Sequence, residues 1–141
     1  MKRIAVLVLV LGAAALPSFA QCNTPPFPVP VVSYTGMTVE PNFNRYHFAV
    51  KNYAQFSDLL FVKSPTLPPC GLNTEASRTW VDIFRANGTR IYGYCAIHDN
   101  AQLLRLSFAI KKTDPQPKAF FITMTDRKCK RVVKSAVVPI P

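Results

Sequence analysis

The chain has 141 residues, a net charge of +10 and four cysteines, none of them in a close CxxC pair. The length suits one domain with a single core. The cysteine spacing argues against a zinc site and against a CxxC redox pair, and beyond residue 20 no apolar run is long enough to span a membrane.

Met1, Lys2 and Arg3 form a positive start, and Ile4 to Leu16 is an uncharged apolar run. Pro17 follows, and Ser18-Phe19-Ala20 places small residues where a signal peptidase reads them. This pattern predicts a secretory signal peptide over residues 1–20, cut after Ala20, and the run is too short for a membrane anchor. Gln21 before Cys22 is not the small residue a lipoprotein site prefers. The expected mature domain, residues 21–141, keeps all four cysteines and a net charge of +8. An even cysteine count behind a signal peptide reads as two disulfides in an oxidising compartment, periplasmic or extracellular. Spacing alone leaves all three pairings open.

Pro25, Pro26, Pro28 and Pro30 make the start of that domain an extended lead-in. Val31 to Glu40 reads as a strand with a bulge at Gly36. Tyr46 to Tyr53 alternates, with Tyr46, Phe48 and Val50 on one face. Ala54 to Arg78 reads as a long irregular excursion that Cys70 locks. Thr79–Ala86 and Thr89–Ile97 flank Asn87-Gly88 and predict a hairpin, since both turn residues tolerate positive φ. Leu103 to Ile110 places Leu104, Leu106, Phe108 and Ile110 on one face. Ala119–Thr125 and Val132–Ile140 bracket the polar turn Asp126–Arg131 and predict a second hairpin. No helix start signal precedes a sustained helical period. Short strands and thirteen prolines predict an all-β sandwich or barrel.

Three segments, Asn52–Phe61, Leu67–Ile97 and Phe120–Lys128, resemble a group of small exported bacterial proteins with a fibronectin type III-like (immunoglobulin-like) β-sandwich. The resemblance covers about Tyr46 to Val138. It implies about seven strands, with the Asn87-Gly88 hairpin as C–C′ and the hairpin around Lys128 as F–G. It also implies disulfides Cys70–Cys95 and Cys22–Cys129. It implies no activity, because this sandwich hosts many functions.

Candidate chemistry is sparse. His47 and His98 lack a nucleophile motif, and His98 beside Asp99 is not oriented as a general base by sequence adjacency. The seven carboxylates are scattered, and no calcium loop is present. No cofactor or metal, and no catalytic activity, is therefore expected. Arg78 beside Trp80 is a candidate ligand contact through guanidinium and ring; the alternative places Trp80 in the core and Arg78 on the preceding loop. The sharper signal is basic. Lys111, Lys112, Lys118, Arg127, Lys128, Lys130, Arg131 and Lys134 are eight of the fifteen basic residues of the expected mature domain. If adjacent turns converge, they form one patch for a polyanion, held by salt-sensitive contacts. Export favours an anionic glycan or lipid of the cell envelope, or a protein, over nucleic acid. The competing explanation is an ordinary solvated turn with edge-protecting lysines. A second candidate is the segment Ser64–Asn73, a crosslinked loop that would insert into a protein partner as an accessory or inhibitor.

Overall fold

Alternating aromatic and β-branched residues fit a pleated, half-buried surface, and in the computed structural model they pair into two antiparallel sheets. The structure describes Cys22, residues 25–64, Leu67, Cys70 and residues 75–141. The segment read as a signal peptide lies outside the described residues, as does most of Ser64–Asn73.

The strands are β1 (Val32–Val39), β2 (Phe43–Val50), β3 (Thr79–Arg85), β4 (Arg90–Tyr94), β5 (Leu106–Lys111), β6 (Ala119–Asp126), β7 (Arg131–Lys134) and β8 (Val138–Pro139). One sheet has the order β1-β2-β5; the other has β4-β3-β6-β7, with β8 also paired to β6. Eight strands among the described residues replace the expected seven. The extra one arises where Ser135 interrupts the run read as Val132–Ile140. Its N–H donates to the Ile122 carbonyl at 2.9 Å, and its hydroxyl accepts the Ile122 N–H at 3.0 Å.

The inner faces meet through aromatic rings. Phe48 of β2 and Phe108 of β5 lie 5.2 and 5.3 Å from Phe120 of β6, centroid to centroid. Val50, Val81, Ile83, Ile122 and Met124 fill the same layer, all fully buried. Each such side chain stabilises the fold by roughly 1.5–3 kcal/mol relative to exposure. The two sheets therefore face each other in a sandwich-like arrangement.

The alternation read in β2 holds, with Tyr46, Phe48 and Val50 all buried. The strand begins at Phe43, however, and stops before Asn52, whose side chain bonds Val31 N–H and the Val29 carbonyl at 2.8 and 2.9 Å. Gly36 has φ 148°, and the β1–β2 register slips between Tyr34 and Gly36, so the bulge is present.

The β3–β4 hairpin is also present, but its turn differs from the one read. Of the two turn residues only Gly88 has positive φ, 89°. Gly88 N–H bonds the Arg85 carbonyl at 2.9 Å, Arg85 N–H bonds Thr89 at 2.8 Å, and the register shifts after Ile83. That is a turn closed by a glycine bulge rather than two left-handed residues.

Two further expectations are corrected. Leu104 is 39% exposed and Leu103 is fully buried in its place. A 3₁₀ turn at Asn100–Leu104, capped by the Asp99 carboxylate on Gln102 N–H, rotates the pair before β5 starts. The 54–78 excursion is not merely irregular, because Phe56, Leu60 and Phe61 are fully buried in the core. Two 3₁₀ turns, Tyr53–Gln55 and Asp58–Leu60, aim them inward.

Cys22 is bonded to Cys129 and Cys70 to Cys95, with Cα separations of 5.9 and 5.8 Å. The first bridge ties the lead-in to the β6–β7 turn; the second ties the 64–73 loop to the residue after β4. Among the described residues no helix is long and apolar enough to cross a membrane.

Candidate anion-binding site

Period-two alternation through β6 buries Phe120, Ile122 and Met124, and it carries Asp126 to the same side. Asp126 is fully buried. An unpaired carboxylate there costs several kcal/mol, and the structure supplies partners from three directions. Arg78 donates from Nε to Oδ1 at 3.0 Å and from Nη2 to Oδ2 at 2.9 Å. Arg131 donates to Oδ2 at 3.2 Å. The turn amides of Lys128 and Cys129 donate to Oδ1 at 3.1 and 3.2 Å. Burial by itself pushes the carboxyl up. The hydrogen bonds from Arg78, the Cys129 amide and Arg131, with the Arg78 charge, outweigh it and hold the group below the usual carboxylate range. The β6–β7 turn is thus wound around a buried anion, and Lys130 takes φ 52° to close it.

The alternative that put Trp80 in the core and Arg78 on the preceding loop is corrected. Arg78 binds Asp126 with its guanidinium rather than the preceding loop; only its backbone N–H reaches back, to Val62 at 2.9 Å. Trp80 is not in the core. Val81 and Ile83 point in, so Trp80 lies half-buried on the outer face, donating from Nε1 to the Ser77 carbonyl at 2.9 Å. Arg127 lies across its ring, 3.9 Å from the centroid. That contact is a cation–π stack.

Two hollows adjoin at this end. One, of about 520 Å³, is lined by Val62, Lys63, Ser64, Leu67, Arg78, Arg127 and Lys128. The other, of about 360 Å³, is lined by Leu67, Thr125, Arg127, Lys130 and Val132. Leu67 and Arg127 belong to both, so Arg127 forms a ridge between them. Lys63 pairs with Glu75 at the rim. Lys128 and Lys130 are exposed, and among the described residues neither side chain has an ion-pair partner.

The eight basic residues do not form one patch. The β5–β6 and β6–β7 turns sit at opposite ends of β6, an 8-residue strand, and so about 25 Å apart. Lys111, Lys112 and Lys118 occupy the far end, where Lys111 and Lys112 line a separate hollow with Pro41, Asn42, Phe43 and Thr113. Lys134 lies midway, over the Phe121 ring at 3.9 Å. Arg127, Lys128, Lys130 and Arg131 remain together, with Arg131 spent on Asp126 and stacked at 5.3 Å on Phe27. Lys63 joins them, which sequence reading missed; its partner across the bridge, Ser77, is remote in the chain.

The carboxylates are all engaged. Glu40 pairs with Arg45 and Asp82 with Arg90; Asp58 accepts the Asn100 N–H and Asp114 the Thr113 hydroxyl. Asp99 lines the roomiest of these hollows, about 550 Å³ beside Tyr94, Arg105 and Leu106, but its carboxylate caps the neighbouring turn. His47 bonds Thr38 at 2.8 Å. Among the described residues no three His, Cys, Asp or Glu side chains gather as a metal site would need. What the turn end offers chemically is fixed positive charge around two shallow hollows.

No protein-family model matches the chain, and comparison with curated proteins and with solved structures also finds no match.

Proposed function

We propose that this chain is exported after cleavage at Ala20, folds as a fibronectin type III-like sandwich, and acts without catalysis by binding an anionic polymer of the cell envelope at the β6–β7 end. The order β1-β2-β5 opposite β4-β3-β6-β7 supports the sandwich identity, with β3–β4 as C–C′ and β6–β7 as F–G. Two disulfides support a periplasmic or extracellular setting. The binding reading rests on one observation: Lys63, Arg127, Lys128 and Lys130 surround two adjoining hollows. Asp126 does not neutralise Lys128 or Lys130, because its carboxylate is already filled.

Immobilised heparin is a suitable probe. The double variant Lys128→Ala/Lys130→Ala binds about 10–30-fold more weakly at physiological salt, at roughly 1 kcal/mol per lysine near an anionic surface. Its salt dependence is shallower by about two counterions. Lys111→Ala/Lys112→Ala, at the far end, leaves binding unchanged. Equal losses in the two variants, or none in the first, would overturn the assignment.

A second reading has its own support. The Cys70–Cys95 bridge anchors the 64–73 loop, and Ser64 and Leu67 of that loop line the hollows. A protein partner gripping the loop accounts for binding that ignores salt and survives the lysine substitutions.

A further inference from the structure

We infer that the Cys22–Cys129 disulfide is a thiol-exchange site, attacked at Cys22 and opened with Cys129 as the leaving thiolate. The inference does not rest on the polyanion reading. The two disulfides differ in their surroundings. Cys22 is exposed, whereas Cys129, Cys70 and Cys95 are half-buried. Arg78 Nη2 lies 3.2 Å from Cys129 Sγ. Among the described residues no cation donates to the sulfur of Cys70 or Cys95.

Among the described residues, charged groups come to Cys129 from several elements. Arg78 approaches from the segment entering β3 and Arg131 from β7; Arg127, Lys128 and Lys130 share the turn; Asp126 closes β6. Asp126 is the one acidic residue of this segment, and its carboxylate already accepts both Arg78 and Arg131. Positive charge beside a sulfur stabilises its thiolate, and a thiol of lower pKa leaves faster. The exposed Cys22 offers the sulfur that an incoming thiolate can reach.

The step balances without an oxidant. The thiolate of a low-molecular-weight thiol attacks Cys22 Sγ and forms a mixed disulfide there. The Cys22–Cys129 bond breaks and its electron pair stays on Cys129 Sγ. A second thiol then releases Cys22 as a free thiol. Opening the bridge unties the lead-in from the β6–β7 turn while Cys70–Cys95 remains closed.

The test uses the full mature chain with limiting reduced glutathione, alkylation at time points and mass-spectrometric mapping. Cys22 and Cys129 become labelled about tenfold faster than Cys70 and Cys95, with the glutathione adduct on Cys22. Prior or equal opening of Cys70–Cys95, or an adduct on Cys129, overturns the inference. In Cys22→Ser the freed Cys129 thiol is titrated by its thiolate absorbance. A midpoint below the ordinary value of about 8.5 is expected, and a midpoint at or above it also overturns the inference. The mapping on the unsubstituted chain stands even if that variant does not fold.

Discussion

Asp126→Ala lowers the unfolding free energy by about 3–5 kcal/mol, the usual cost of removing one partner from a buried ion pair, and lowers Tm by about 10–20 °C. The loss has two parts. Arg78, only 7% exposed, keeps its charge with no carboxylate to receive it. The amides of Lys128 and Cys129 lose their acceptor, so the turn carrying the candidate site loosens. Asp126→Asn retains one oxygen for the amides and loses the charge, so its cost falls between the two. Trp80, the one tryptophan, lies under Arg127 of that turn and reports unfolding by fluorescence. The same carboxylate sets an acid limit. Its pKa is depressed in the folded state. The stability it contributes is therefore complete above the unfolded value of about 3.9 and disappears as pH falls through the folded value. The unsubstituted domain loses stability through that acid window, and Asp126→Ala shows a smaller loss there. A variant within 1 kcal/mol of the parent would refute the role given to this carboxylate.

Phe120→Ala costs a comparable amount, about 3–5 kcal/mol, for a different reason. Phe120 is fully buried. Its ring is the point at which β6 touches both Phe48 and Phe108. Truncation leaves a cavity under rings that belong to two strands of the other sheet, and neither strand can move in without breaking its pairing. Phe120→Leu recovers most of the loss, because it removes fewer atoms from the same place. Urea unfolding of both variants checks this: similar costs for Ala and Leu would mean that the layer between the sheets repacks freely.

What was legible in the sequence was local. Val31–Glu40 shows itself as a strand through β-branched residues and a bulge glycine, and the segment from Tyr46 to Val50 through its alternation, all within 20 residues of each other. Asn87-Gly88 announces its hairpin, although only Gly88 of the pair takes positive φ. What stayed hidden depends on rotation or on distance along the chain. Leu103 and Leu104 exchange roles because a single 3₁₀ turn changes the phase of the pattern just before β5. The basic run from Lys111 to Lys134 reads as one cluster only if the length of β6 is ignored. Asp126 was within reach, since the alternation Phe120, Ile122, Met124 continues to it; its polarity concealed an inward position. Lys63 carried no signal, because the bridge to Ser77 that places it has no local mark. Four cysteines likewise leave three pairings open until the chain's path brings residue 22 beside the β6–β7 turn.

The Cys22–Cys129 bridge also decides how the domain responds to a pull. Cys22 and Cys129 close one covalent loop, so a pull between Cys22 and Pro141 passes through the sulfur bond into the β6–β7 turn and on along β7 and β8. The strands from β1 to β6 lie inside that loop and carry none of the covalent load. With the bridge closed, only the segment after Cys129 can lengthen. With it open, the whole length from Cys22 to Pro141 can extend.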